Sequence, residues 1–240
     1  MIITLDQLDK FVGQMIKDEY GRILGKLVMV YSNVSGEVES IELSINDAMY
    51  EGVPASRIKL TPDGLVVVPE WKVKALDIEN KLDRVKKRLR ATEDLYRKGT
   101  VPVHAYEELK RKLEVEFRNL KEEVKKVKEL LRKRAGELED LIIRLEKDLT
   151  NLQVLYMSNE FSEASYKIAA DFLRNNRTKS LDEKRDVEKH LELISKLETE
   201  AGEIRQAAEA PQQTLTTPST PATQSMPKAE SPIQVQVVDT

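Results

Sequence analysis

The chain of 240 residues carries 34% charged and only 5% aromatic side chains, with a formal net charge of −3. So many charges and so few aromatics exclude a single large globular core, and near-neutrality leaves nucleic acid only local patches to bind. The absence of cysteine excludes disulfides, thiolate metal ligands and cysteine nucleophiles.

Glycine and proline are unevenly placed: six of nine glycines lie at or before Gly64, and five of nine prolines lie from Pro211 onward. A turn-rich head, a helical middle and a loose tail are therefore expected. The opening Met1-Ile2-Ile3-Thr4-Leu5-Asp6 lacks a charged n-region and a long apolar run, so the expectation is a soluble cytoplasmic protein.

Residues 1–69 contain short apolar runs separated by turn signals, the pattern of a small antiparallel sheet or barrel. The run Phe11 to Lys17 meets Asp18-Glu19-Tyr20-Gly21, Leu27 to Tyr31 meets Ser32-Asn33-Val34-Ser35-Gly36, and Thr61-Pro62-Asp63-Gly64 precedes Leu65 to Val68. Ile41, Leu43 and Ile45 alternate with Glu42, Ser44 and Asn46, which predicts one buried face and one wet face. About seventy residues suffice to close a barrel filled only by side chains.

From residue 70 to 209 the apolar period changes to about three and a half. Helices are predicted over about 70–98, 104–157, 162–175 and 181–209. The first stops at Lys98-Gly99-Thr100-Val101-Pro102, where glycine can cap and proline cannot continue. The second carries a coiled-coil seam of Leu113, Phe117, Leu120, Val124, Val127, Leu131, Leu138, Ile142, Leu145, Leu149 and Leu152, with Ala135 at a stutter beside Gly136. Ser162 is expected to cap the third helix, and Ser180-Leu181-Asp182-Glu183 to open the fourth as a capping box.

Leu95-Tyr96 with Tyr106 and Leu155-Tyr156 with Tyr166 share one spacing, which either marks one helical hairpin turn used twice or is a coincidence. At 1.5 Å per residue the second helix is roughly 80 Å long and the first about half that. The rest of the seam must be covered by residues 162–209 folding back, by a second chain, or by both, so the seam is the expected self-assembly element.

Residues 210–232 are rich in Pro, Thr and Gln and are expected to be a disordered linker. Ile233, Gln234, Val235, Gln236, Val237 and Val238 then begin with strict alternation, a tethered strand suited to pairing with a partner's sheet edge. Residues 233–240 are accordingly assigned as a partner-binding peptide.

Catalytic chemistry is missing from the pattern. His104 and His190 are expected on the surface, and no phosphate loop, serine elbow or dinucleotide glycine pattern is present. The plentiful carboxylates sit on charged helices with no apolar cleft to shift them, so neither an enzyme nor a bound cofactor or metal is expected. Basic clusters such as Lys86-Lys87-Arg88, Lys125-Lys126 and Arg132-Lys133-Arg134 are interleaved with glutamates. An ordinary solvated face is the stronger reading, and a DNA-binding or nucleoid-organising protein is the alternative.

The stretch from Val12 to Leu27, with Gly13, Gly21 and Gly25, resembles the PRC-barrel signature, and Val53 to Ile58 with Asp63 to Val67 resembles its closing half. Barrel, coiled coil, Pro/Thr-rich linker and terminal strand in that order resemble the archaeal cell-division protein A (CdvA) family over the whole chain. That resemblance implies an α+β protein: a PRC-barrel-like β-domain, a long coiled coil and a disordered tail ending in a strand. It implies homo-oligomers or filaments at the cytoplasmic face of the membrane at mid-cell. It further implies recruitment of an ESCRT-III homologue through its winged-helix domain, with Ile233 to Val238 as the capture strand and membrane contact made indirectly through that partner.

Overall fold

Turn residues and β-branched runs place six strands within the first 67 residues of the computed structural model, which describes residues 3–46, 48–62 and 64–209. Strands β1 (Met15–Asp18), β2 (Ile23–Ser32), β3 (Val38–Asn46), β4 (Met49–Pro54), β5 (Ile58–Thr61) and β6 (Gly64–Val67) form one sheet in the order β4-β3-β2-β1-β6-β5. All pairings are antiparallel except β1 with β6. The sheet does not close as expected of a barrel. Its two ends are β4 and β5, joined by the 3-10 turn Ala55–Arg57. Pro54 has no N–H to donate, and the tight turn after it redirects the chain before any bridge from β4 to β5 forms.

Leu8, Ile16, Leu27, Ile41, Leu43, Val53 and Val67 fill the inner face. Ile45, expected to follow Ile41 and Leu43 inward, is exposed, because the β3–β4 register shifts between Ser44 and Asn46 and the alternation of faces breaks there. The early run Phe11 to Lys17 is also shorter as a strand than its composition suggested. A short helix, α1 (Leu5–Leu8), and a 3-10 turn at Asp9–Phe11 precede β1 and seat Leu8 in the core. A side chain at Gly25 would meet the Ser44 carbonyl oxygen at 2.6 Å, so the close approach of β2 to β3 requires glycine there.

Three long helices follow: α2 (Glu70–Arg97), α3 (Val103–Met157) and α4 (Glu163–Glu209). The turn between α2 and α3 and the turn between α3 and α4 are alike, which settles the choice between a repeated motif and coincidence. Gly99 at φ +66° and Asn159 at φ +62° occupy the left-handed region, and each donates its N–H to a tyrosine carbonyl, Tyr96 or Tyr156. The next residue in each turn, Thr100 or Glu160, bonds back to Leu95 or Leu155. In each hairpin that tyrosine stacks on one from the following helix, Tyr96 on Tyr106 at 4.0 Å between ring centroids and Tyr156 on Tyr166 at 4.4 Å.

The expected division between a third and a fourth helix is absent, because α4 runs unbroken through Asn175 and Asn176. Ser180 is buried and donates its hydroxyl to the Asn176 carbonyl one turn back instead of capping a new helix. Ser162 does cap α4, accepting the N–H of Ser165 at 3.2 Å.

The seam of α3 is covered by this chain itself. Trp71, Ala75, Ile78, Leu82, Val85 and Leu89 of α2 and Val187, Ile194, Leu197 and Ala201 of α4 pack with the α3 seam from Leu113 to Leu138. Beyond Leu138, α3 pairs with α4 alone, burying Ile142, Leu145 and Leu152 while Leu149 stays half-buried. Inter-helix ion pairs line the outside, among them Lys81 with Glu123 at 2.8 Å and Arg177 with Glu146 at 2.6 Å.

Leu131 is fully buried in the three-helix core, whereas Ile168 on the outer face of α4 is 74% exposed. Leu131→Ala should therefore lose about 3–4 kcal/mol by transfer and cavity terms, and Ile168→Ala within about 0.5 kcal/mol of nothing. Chemical denaturation of both variants tests this; equal losses would mean that α4 is packed on its other side.

Candidate functional site at the sheet–helix junction

The turn from β1 to β2 is fixed by its own backbone. Asp18 Oδ1 accepts from the N–H groups of Tyr20 at 2.9 Å and Arg22 at 2.8 Å, and Gly21 sits at φ +75°. Tyr20 and Arg22 are thereby held against α2 and α4. The Tyr20 hydroxyl donates to Asp186 Oδ2 at 2.7 Å, and Lys72 Nζ reaches that oxygen and Glu19 Oε2 at 2.8 Å each. Lys179 of α4 closes the turn from above, donating to the Gly21 carbonyl at 2.8 Å.

Glu183 of α4 lies at the centre, 1% exposed. Arg134 of α3 grips it bidentately, Nε to Oε1 at 2.8 Å and Nη2 to Oε2 at 3.0 Å. Trp71 of α2 donates its indole N–H to Oε1 at 3.0 Å, and Arg22 donates to Oε2. Burial opposes ionisation of Glu183, but the Arg134 and Arg22 guanidiniums outweigh it and hold the carboxyl below its ordinary range. Asp18 behaves oppositely: burial dominates over its backbone donors and Arg22, and pushes its carboxyl up. Lys72 is held above its usual range because Asp186 and Glu19 overcome its partial burial.

Two turns further along α4 from Glu183, His190 Nδ1 lies 2.6 Å from Glu79 Oε1, and its ring stands edge-on to Trp71 at 5.8 Å. His190 is thus 9% exposed and not a surface residue as its charged sequence neighbours suggested, whereas His104 is exposed as expected. The expectation that the carboxylates stay solvated also fails at Asp18, Glu79 and Glu183, all buried. The missed signal is a spacing: Ser180, Glu183, Val187, His190, Ile194, Leu197 and Ala201 follow one seam of threes and fours, in which three polar residues replace apolar ones.

A cavity of about 370 Å³ adjoins the cluster, with Arg57, Leu24, Pro69, Leu130 and Lys133 among its walls. Its four cations, Arg22, Arg57, Lys133 and Arg134, face four carboxylates, Asp18, Glu70, Glu137 and Glu183, so it has no net charge with which to attract an ion. Four donor bonds occupy both oxygens of Glu183, which leaves it no free lone pair for proton transfer. The arrangement is a coupling between sheet and rod. Among the described residues no group of three or more metal-ligating side chains converges, and no helix is long and apolar enough to cross a membrane.

The eleven residues assigned to self-assembly all lie on α3 and face α2 or α4, so they are internal packing and not a free surface. The assigned partner-binding residues Ile233, Gln234, Val235, Gln236, Val237 and Val238 lie outside the described residues, as does the linker 210–232.

Residues 70–216 match the family described as a CdvA-like coiled-coil domain. The chain is also similar to the Cell division protein A of Sulfolobus acidocaldarius, 32% identical over 240 residues, with all of each chain covered. This chain therefore belongs to the CdvA family, which supports a role in cell division. No solved structure matches it.

Because the folded-state value of Glu183 is depressed, its contribution is complete above the ordinary carboxylate range and is lost as pH falls through the folded value. Glu183→Gln keeps the shape but leaves Arg22 and Arg134 short of a counter-charge; as both are partly solvated, a loss of about 2–3 kcal/mol at pH 7 is expected. Its stability should then fall less than that of the parent chain between pH 5 and 3. Parallel stability–pH curves for the two proteins would remove Glu183 from the account.

Proposed function

We propose that this chain is a filament-forming cell-division scaffold that recruits an ESCRT-III homologue, carrying a winged-helix domain, to the membrane at the division site. In this reading it acts at the cytoplasmic face of the mid-cell membrane, touches that membrane through its partner, and is not an enzyme. The observation that carries the reading is the similarity over the whole chain to a protein named for cell division. A rod about 80 Å long, fixed to a sheet at one level, suits a spacer and not a catalyst.

Each part has a job in this reading. The N-terminal sheet serves as a PRC-barrel-like contact module and the helices as a coiled-coil body. Ile233, Val235 and Val237 present one face of an extended strand while its backbone completes a partner's sheet edge. In this reading the Pro/Thr-rich segment of about 23 residues serves as the tether, so that capture needs no movement of the rod.

The alternative of a DNA organiser gains little support from the basic clusters. Lys86 and Lys87 pair with Asp83, Arg88 with Glu116, Lys133 with Glu137 and Arg134 with Glu183, so five of these charges already have carboxylate partners, while Lys125, Lys126 and Arg132 are exposed.

Deleting residues 231–240 should abolish co-sedimentation with the ESCRT-III homologue and leave self-assembly of the chain unchanged. Undiminished partner binding by the truncated chain would overturn the capture assignment, and absence of any self-assembly in the full chain would overturn the scaffold.

A further inference from the structure

The register of the sheet brings an unusual set of side chains onto its outer face. Met15 stands opposite Lys26, Lys26 opposite Ser44, and Ser44 opposite Tyr50, so one row crosses β1, β2, β3 and β4 on the same side. The next row pairs Met29 with Glu42 and Glu42 with Gly52, and the row beyond pairs Tyr31 with Ser40. The neighbouring residues Ile41, Leu43 and Val53 point the other way, into the core. An ordinary wet sheet face is polar, yet here Met15 is 63%, Met29 48%, Tyr31 46% and Tyr50 58% exposed.

We propose that this outer face is where two copies of the chain pair, sheet against sheet, about a two-fold axis passing between Lys26 and Glu42. The area is sufficient. With full side-chain areas of about 150–250 Å² for residues of this size, the four expose on the order of 400 Å² per copy. A pair thus removes on the order of 800 Å² of apolar surface, and the polar residues between them carry the total past the ~1,000 Å² of a specific interface.

The charges are self-complementary as well. Lys26 on β2 and Glu42 on β3 are diagonal neighbours, roughly 7–8 Å apart, and a two-fold axis between them lays each over its opposite in the second copy. The Tyr31 hydroxyl donates to Glu42 at 3.2 Å and so orients the carboxylate on that face. Nothing stands within 4 Å of the space a side chain at Gly52 would fill, which leaves room beside Tyr50 for an incoming ring. A carboxylate in the middle of the patch disfavours an anionic lipid surface as the occupant. The proposal deepens the assembly reading above, on which it rests, by naming a surface in place of the internal seam of α3.

Two single charge reversals in the full chain test it, read by sedimentation equilibrium. Lys26→Glu sets glutamate against glutamate, and Glu42→Lys sets lysine against lysine, so each variant alone should pair about tenfold more weakly than the parent chain. Mixed in equal amounts, the two should restore pairing, because every contact across the axis is again between opposite charges. Met29→Glu combined with Tyr50→Glu should weaken pairing at least about a hundredfold with an unchanged melting temperature, since both side chains are half-exposed. Failure of the mixture to recover, or wild-type pairing by the Met29/Tyr50 variant, would reject this surface while leaving assembly through another. A parent chain that remains monomeric at every concentration would reject both this surface and the assembly reading.

Discussion

Glu183 accepts hydrogen bonds from Trp71 on α2, Arg134 on α3 and Arg22 at the foot of β2, while its own backbone belongs to α4. A carboxylate buried to this extent costs several kcal/mol unless its lone pairs are filled, and they are filled in one docking register alone. A leucine at this position would accept many rotational settings of the helices around it. Glu183 accepts the one in which three elements deliver donors to the same point. The sheet is held by the same point, because Arg22 can reach Glu183 only when Asp18 and Gly21 have set the β1–β2 turn. Tyr20, Lys72 and Lys179 then repeat the attachment on either side, so that the sheet meets the rod through a patch of contacts and not through a flexible joint.

That docking level divides the rod. On one side α2, α3 and the second half of α4 bury a continuous core from Trp71 to Ala201. On the other side α3 and α4 continue as a pair without α2, and the same helices leave Ile168 and Phe172 facing outward at 74% and 67% exposure. Burial per residue falls beyond Leu138, and Tyr156 on Tyr166 takes over the closing role that the core plays elsewhere. The repetition of the hairpin turn is then physically sensible: the same left-handed cap and tyrosine stack secure the reversal at the end with a full core and at the end without one.

The existence and approximate ends of the long helices were legible because a seam of threes and fours, Gly99, Pro102 and Ser162 each act locally. The strands were legible from alternation and turns. Closure of the sheet was not, since it depends on whether β4 and β5 meet, a long-range matter decided at Pro54 and the turn after it. The junction escaped for a different reason. Ser180 and Glu183 carry the residue types of a capping box, and Asn175-Asn176 before them look like a break, so local chemistry pointed to a helix start. Tertiary burial overrode it: Arg22 lies 161 residues and Arg134 49 residues from Glu183 along the chain, so the contacts that bury the carboxylate fall in no local window. His190 was misplaced by the same logic, because Lys189 beside it is exposed while His190 itself turns towards Glu79 and Trp71.

Internal use of the α3 seam also changes how assembly has to be understood. Coiled-coil periodicity is commonly taken to mean association between chains, but periodicity reports that a stripe is buried and not by whom. Here α2 and α4 supply the covering helices, and two further chains would have to displace them and their ion pairs to reach Leu131 or Phe117. Displacement would also break the four bonds to Glu183, since α2, α3 and α4 all contribute to them. Contacts between copies are therefore cheaper where no internal partner must be given up. The outer sheet face, where Met15, Met29, Tyr31 and Tyr50 are exposed around Lys26 and Glu42, meets that condition.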